Sequence, residues 1–172
     1  MTQGKLFNDP PPAGPEAPPL GTPASDLVLP EKILALPFWY DFAWLVTEGI
    51  KTLETRSSAW ERPPGWIVVY ATKGRGPAHQ RPILPAGVEL PPLDQIPRQA
   101  LTCLLWIAGS RPLRLEDTAA ACFYEAGRYA LEITRRYPFR RPIPLAESGL
   151  SAPPQGPVYV SRAVVARGLL AA

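Results

Sequence analysis

Gly49-Ile50-Lys51-Thr52-Leu53-Glu54-Thr55-Arg56 stands between a short aromatic stretch, Trp39 to Glu48, and the apolar run Trp66-Ile67-Val68-Val69-Tyr70. The stretch before it reads as helix: Tyr40, Ala43, Trp44 and Ile50 recur at helical spacing, Asp41 suits a positive first turn, and Gly49 is a helix stop. From Lys51 to Ser57 the chain reads as extended, so Glu54 and Arg56, two apart, share one strand face with Thr52. This is a compact charged cluster in apolar surroundings, and two readings stand: a surface salt bridge, or the floor of a binding cleft. Strict alternation puts Lys51 on the opposite face from Glu54. Cooperation among the three charges therefore requires a turn just after Gly49.

Outward from this stretch, Ile33 to Leu36 reads as a buried strand ended by Pro37, and Trp66 to Thr72 as a strand apolar on both faces. Lys73 to Pro97 has no periodicity and is broken repeatedly by Gly and Pro, which predicts a long surface excursion. Leu101 to Gly109 is a second strand apolar on both faces, and Leu115 to Tyr124 a short helix. Gly127 to Ile133, Arg141 to Leu145 and Val158 to Val160 are further strands. Ser161 is placed to cap a last helix through Leu170. Short strands with few helices predict an α+β fold, a small mixed β-barrel, closed or half-closed, with helices plugging its ends.

Composition bounds the rest. The chain has 172 residues, a domain's worth, and its 24 prolines stand well above the usual roughly 5%. Each proline fixes φ and removes a donor, which argues against a long helical bundle. Residues 1–28 read as a disordered Pro-rich tail before a domain at 29–172; Pro12 and Pro15 form a P-x-x-P spacing that would suit a protein partner with an aromatic groove. The N-terminus has no apolar signal-peptide core, and no apolar run reaches the roughly 18–20 residues of a membrane span. Cys103 and Cys122 fit no metal-ligand spacing and are expected as reduced, packed thiols, which favours the cytoplasm; no metal or cofactor is expected. The net charge of +3 suits an anionic ligand without requiring one.

Several residues carry chemistry. Lys51 is a compact cation suited to phosphate or a developing oxyanion, or a solvated lysine at a helix C-terminus. Glu54 would orient Arg56 or accept from a base or ribose hydroxyl while Arg56 forks onto phosphate; otherwise the two are an exposed pair worth at most about 1 kcal/mol. Trp60, in a polar turn near Arg62, is the candidate for an exposed stacking ring, whereas Trp44 and Trp66 read as core. Arg135-Arg136-Tyr137-Pro138-Phe139-Arg140-Arg141 is the densest basic run and either contacts RNA or connects two strands in solvent. Lys73, Arg75, His79 and Arg81 make the long loop basic.

Phe42-Ala43, the G-x-K-x-x-E-x-R spacing of Gly49, Lys51, Glu54 and Arg56, and the strand Pro64-Gly65-Trp66-Ile67-Val68-Val69-Tyr70-Ala71 together resemble the ASCH domain, a PUA-like β-barrel family. The resemblance spans roughly residues 31 to 150. Asp41 replaces a frequent family proline, and Pro64 a common basic residue. The resemblance implies an RNA- or nucleotide-binding module, with Lys51, Glu54 and Arg56 in its cleft and Trp60, Arg135, Arg136, Arg140 and Arg141 extending it. An alternative is a hydrolase of the same fold, a ribonuclease or a modified-nucleoside hydrolase, with Lys51 and Glu54 catalytic. Some bacterial members hydrolyse acylated pyrimidine nucleosides with a lysine, a threonine and a glutamate. Their nucleophilic threonine falls at Glu54, a carboxylate that cannot be that hydroxyl, so the amidohydrolase chemistry does not carry over. A third reading is an adaptor acting through the Pro-rich tail.

Overall fold

The computed structural model describes residues 15–156 and 158–170. Six strands form one mixed sheet: β1 (Lys32–Phe38), β2 (Leu53–Arg56), β3 (Gly65–Ala71), β4 (Ala100–Pro112), β5 (Tyr129–Pro144) and β6 (Val158–Ser161). Their order is β2-β5-β4-β3-β1-β6. Only β1 and β3 run parallel; every other neighbouring pair is antiparallel. The parallel pair is joined by a crossover through helix α1 (Tyr40–Thr47) and β2. The edge strands β2 and β6 do not pair with each other, so the expected barrel is an open sheet. The two long strands curve at irregularities in their register, near Leu101/Cys103 and Trp106/Ile107, where unpaired residues bend the ribbon without closing it.

Alternation along the central strands fills both faces. Leu34, Leu36, Phe38, Ile67, Val69 and Leu105 pack with α1 on one face. Ile33, Ala35, Val68, Tyr70 and Leu104 pack on the other against helix α3 (Arg162–Leu170). That is why β3 and β4 read as apolar on both sides: each face has its own cover. Gly168 lets α3 approach β5, because a Cβ there would lie 2.3 Å from the Phe139 ring. The Ser161 hydroxyl accepts from the Val164 N–H at 3.4 Å, as expected of a cap.

Three local readings change. β1 continues through Pro37 to Phe38. Its pairing with β6 covers only Lys32 to Ala35, so Pro37 lies where that side of the strand needs no donor. The expected helix over 115–124 is a single turn at Leu115–Asp117 followed by α2 (Thr118–Ala121), stopped at Cys122 with φ of +50°. The expected strands at 127–133 and 141–145 are one strand, so the arginines of 135–141 lie within β5 rather than in a connection.

Of the expected tail, residues 1–14, including Pro12, lie outside the described residues. Residues 15–28 run along the domain: Ala24 and Leu27 pack on the second core, and the Pro18 carbonyl accepts from Arg135 Nε at 2.6 Å. The long excursion over 73–97 is also held down. Leu84, Val88 and Leu90 pack on the first core, and the Ile83 N–H donates to the Cys122 carbonyl at 2.8 Å. At its start, Asp41, buried in α1, pairs with Arg75 at 3.1 Å. Gly76 packs flat on Trp39, where a Cβ would come within 2.3 Å of the indole. Among the described residues no helix is long and apolar enough to cross a membrane.

Candidate nucleotide site

The turn that the charged cluster requires is present. Gly49 takes φ of +80°, with Ile50 N–H donating to the Leu45 carbonyl and Gly49 N–H to that of Val46. This is a Schellman ending, with glycine at the left-handed position. Lys51 N–H also donates to the Leu45 carbonyl at 3.0 Å, so the chain folds back under the helix end and carries Lys51 inward.

Lys51 is fully buried. Its Nζ donates to the Ala121 carbonyl at 2.5 Å, lies 3.5 Å from Glu54 Oε2, and stands over the Phe42 ring at 5.0 Å. Thr52 N–H and Ile83 N–H take the carbonyls of Ala120 and Cys122, so Lys51 fills the one place between them where α2 would leave a carbonyl bare. Burial pushes its ammonium below the usual lysine range, and the facing Glu54 carboxylate opposes that shift. The lysine expected to meet phosphate is therefore an internal strut: it holds the end of α2 and fixes the Glu54 carboxylate.

Glu54 presents its other oxygen to Arg56, whose Nε lies 3.1 Å from Oε1. That contact is ionic rather than a well-aligned hydrogen bond, since the same Nε has no bond of good geometry. Arg56 also donates through Nη2 to the Pro37 carbonyl at 3.2 Å and stacks over Phe38 at 5.1 Å. With its side chain 30% exposed, Arg56 is held at Nε and Nη2 and remains partly accessible. The sequence cluster thus forms a chain of charge running outward from buried Lys51 through Glu54 to Arg56.

Glu54 and Arg56 line a cavity of about 300 Å³, and Lys51 lies beneath it. The rings of Phe38, Trp39, Phe42 and Phe123 form its apolar walls, and Gln80 of the long loop and Arg128 complete it. Arg128 stacks over Phe123 at 5.5 Å and pairs through Nη1 with Glu125 at 2.8 Å, while its buried Nε has no partner among the described residues. Arg128 has no signal in its own neighbourhood of sequence, because it reaches this site only through the pairing of β5 with β2. Of the wall rings, Trp39 and Phe42 lie in the aromatic stretch read before the cluster, whereas Phe38 and Phe123 carry no signal in sequence.

The other expected residues lie elsewhere. Trp60 is half-buried against the first core, its Nε1 donating to the Pro63 carbonyl at 3.4 Å and Arg62 over its ring at 5.9 Å; it does not line the cavity. Arg135 is tied to Pro18, Arg136 donates to the Thr47 carbonyl at the end of α1, and Arg141 pairs with Glu147. Arg140 is exposed, and its side chain has no hydrogen bond or ion pair among the described residues. His79 is exposed. The two thiols are free and buried, and burial pushes that of Cys103 up to about 12. No group of three His, Cys, Asp or Glu side chains among the described residues is placed to hold a metal ion.

No protein-family model matches the chain, and no curated protein matches it by sequence. Solved structures do match. The ASCH protein of Zymomonas mobilis is 17% identical, with a TM-score of 0.49 over 79% of this chain and 92% of that one. A serine-to-alanine variant of it is 16% identical, with a TM-score of 0.49 over 80% and 94%. A tyrosine-to-phenylalanine variant, 14% identical, superposes with a TM-score of 0.50 over 77% of this chain and 92% of that one. On that last superposition, the open six-stranded sheet with its three helices has an ASCH-type fold.

Proposed function

We propose that this protein is an RNA- or nucleotide-binding module that takes an unpaired base in the cavity above Glu54 and Arg56. The observation that carries this reading is the lining itself: four aromatic rings, one carboxylate and two guanidinium groups around about 300 Å³. Rings accept the flat face of any base. Glu54, its orientation fixed from below by Lys51, is an acceptor for the ring or amino N–H of a base edge, and Arg56 and Arg128 are donors for sugar or phosphate oxygens. Lys51 acts here as a positioning residue rather than a contact.

The hydrolase alternative rests on Glu54, a carboxylate on the cavity wall able to move a proton. One experiment separates the two. Labelled single-stranded and structured RNAs are incubated with wild type, Arg56→Ala and Glu54→Gln, and resolved on paired native and denaturing gels. The binding reading predicts a salt-sensitive shift without cleavage, weakened roughly tenfold or more by Arg56→Ala. Cleavage lost in Glu54→Gln would establish the enzyme instead. No shift and no cleavage with any RNA would overturn the nucleic-acid reading.

A further inference from the structure

A second cavity, of about 350 Å³, adjoins the first across a wall formed by Trp39 and Thr72, which line both. Its chemistry is different. The first has aromatic walls and a carboxylate; the second is lined by Lys73, Arg75, Gln99 and Gln155, with no acidic side chain on it. Lys73 has no acidic partner among the described residues, and Arg75 leaves part of its guanidinium exposed while Asp41 holds its Nε. The buried ring of Tyr70 contributes to the wall, and its hydroxyl has no hydrogen-bond partner among the described residues.

Of these donors, the loop holds Arg75 in place. Asp41–Arg75 fixes one end, and Arg75 stacks over Tyr40 at 5.8 Å. Thr72 N–H donates to the Phe38 carbonyl at 2.8 Å, and the Thr72 hydroxyl to that of Gly74 at 3.0 Å. Gly76 lies on Trp39 with no room for a side chain. The basic loop thus sets two cations, Arg75 held by Asp41 and Lys73 unpaired among the described residues, beside the Gln99 and Gln155 amides, one residue's width from the aromatic cavity.

We propose that the second cavity seats a phosphodiester of the same strand whose base occupies the first, so that the ligand is a single-stranded oligonucleotride rather than a free nucleotide. This rests on the proposed reading of the first cavity. Donors without acidic neighbours suit an anion carrying oxygens on several sides, and Lys73 gives a point charge where Arg75 gives a planar fork. The shared Trp39–Thr72 wall is the path over which the backbone passes from base to phosphate.

The test compares affinities of the four nucleoside 5′-monophosphates with those of the matching single-stranded RNA tetranucleotides, for wild type and Lys73→Ala. The expected result is a tetranucleotide that binds roughly tenfold or more tighter than its monophosphate. Lys73→Ala should lower that ratio severalfold and make the salt slope shallower by about 0.7, the share of one phosphate contact on a single strand. Arg75→Gln, which keeps a donor while removing the charge, should lower the ratio in the same direction. Monophosphate binding with no tetranucleotide advantage, or an advantage untouched by both variants, would overturn this inference and leave the first cavity standing. Absence of binding by every nucleotide and tetranucleotide would overturn both.

Discussion

Two charged stretches of equal prominence in the sequence, 49–56 and 135–141, have opposite fates in the fold. The first puts one cation wholly inside, a carboxylate above it and a second cation at the rim of a cavity. The second lies along β5, with three of its four arginines engaged by Pro18, Thr47 and Glu147. Density of charge does not separate them. What separates them is where the charged groups end: the Gly49 turn brings Glu54 and Arg56 to a cavity wall, whereas of the second run only Pro138 and Phe139 line a cavity and three of the arginines meet other partners. A cation made to pair internally can still shape a site, as Lys51 does. A run of exposed cations on a strand becomes a ligand surface only where its donors remain free.

The largest expected effect breaks the first region. Glu54→Leu leaves the Lys51 ammonium buried with no opposite charge, and should cost about 3–5 kcal/mol in chemical denaturation. The double variant Lys51→Met with Glu54→Leu removes both charges and should recover a substantial part of that loss. Equal losses in the single and double variants would mean that the pair is not electrostatically coupled.

The Arg111–Asp117 pair supplies a scale for the Lys51–Glu54 pair. Asp117 accepts from Arg111 at 2.6 and 2.8 Å and from Arg114 N–H at 2.9 Å, and these bonds, Arg111 first, lower its carboxyl pKa to about 2. Its folded pKa lies below the unfolded value, so its contribution is present above pH 3.8 and is lost as pH falls toward about 2. Asp117→Asn should therefore be clearly less stable than wild type at pH 5, and the gap should narrow by pH 2.5, read from urea midpoints. A gap of constant size would assign the effect to packing alone.

The smallest effects belong to the second region. Arg136→Ala should lose about 0.5–1 kcal/mol, because its guanidinium meets the C-terminal carbonyl of α1 at Thr47. Arg140→Ala should stay within about 0.5 kcal/mol of wild type in stability. If Arg140→Ala also makes RNA affinity less salt-dependent, β5 joins the binding footprint and the contrast between the regions sharpens into one of degree.

Much of the fold was legible because its signals are local. Apolar runs on both faces located β3 and β4, Gly49 located the end of α1, and the spacing of Lys51, Glu54 and Arg56 located the cluster. Barrel closure was not legible: it depends on whether β2 meets β6, a long-range pairing with no local signature. The burial of Lys51 was hidden for a similar reason, since its carbonyl partner is Ala121, 70 residues away. Arg128 and Gln80 were missed because neither belongs to a charged pattern; tertiary pairing alone brings them to Glu54. Conversely, the run at 135–141 is visible in sequence through its composition, whereas its engagement with Pro18, Thr47 and Glu147 is not.

The central claim, that the cavity above Glu54 and Arg56 and not the β5 arginines receives the nucleotide, is tested most directly by NMR. Nitrogen-labelled protein would be titrated with each nucleoside monophosphate while the arginine Nε–H and tryptophan indole resonances are followed. Saturable shifts are expected at Arg56, Arg128 and Trp39, with Arg136, Arg140 and Arg141 still. Shifts at the β5 arginines with Arg56 and Trp39 unmoved would contradict it.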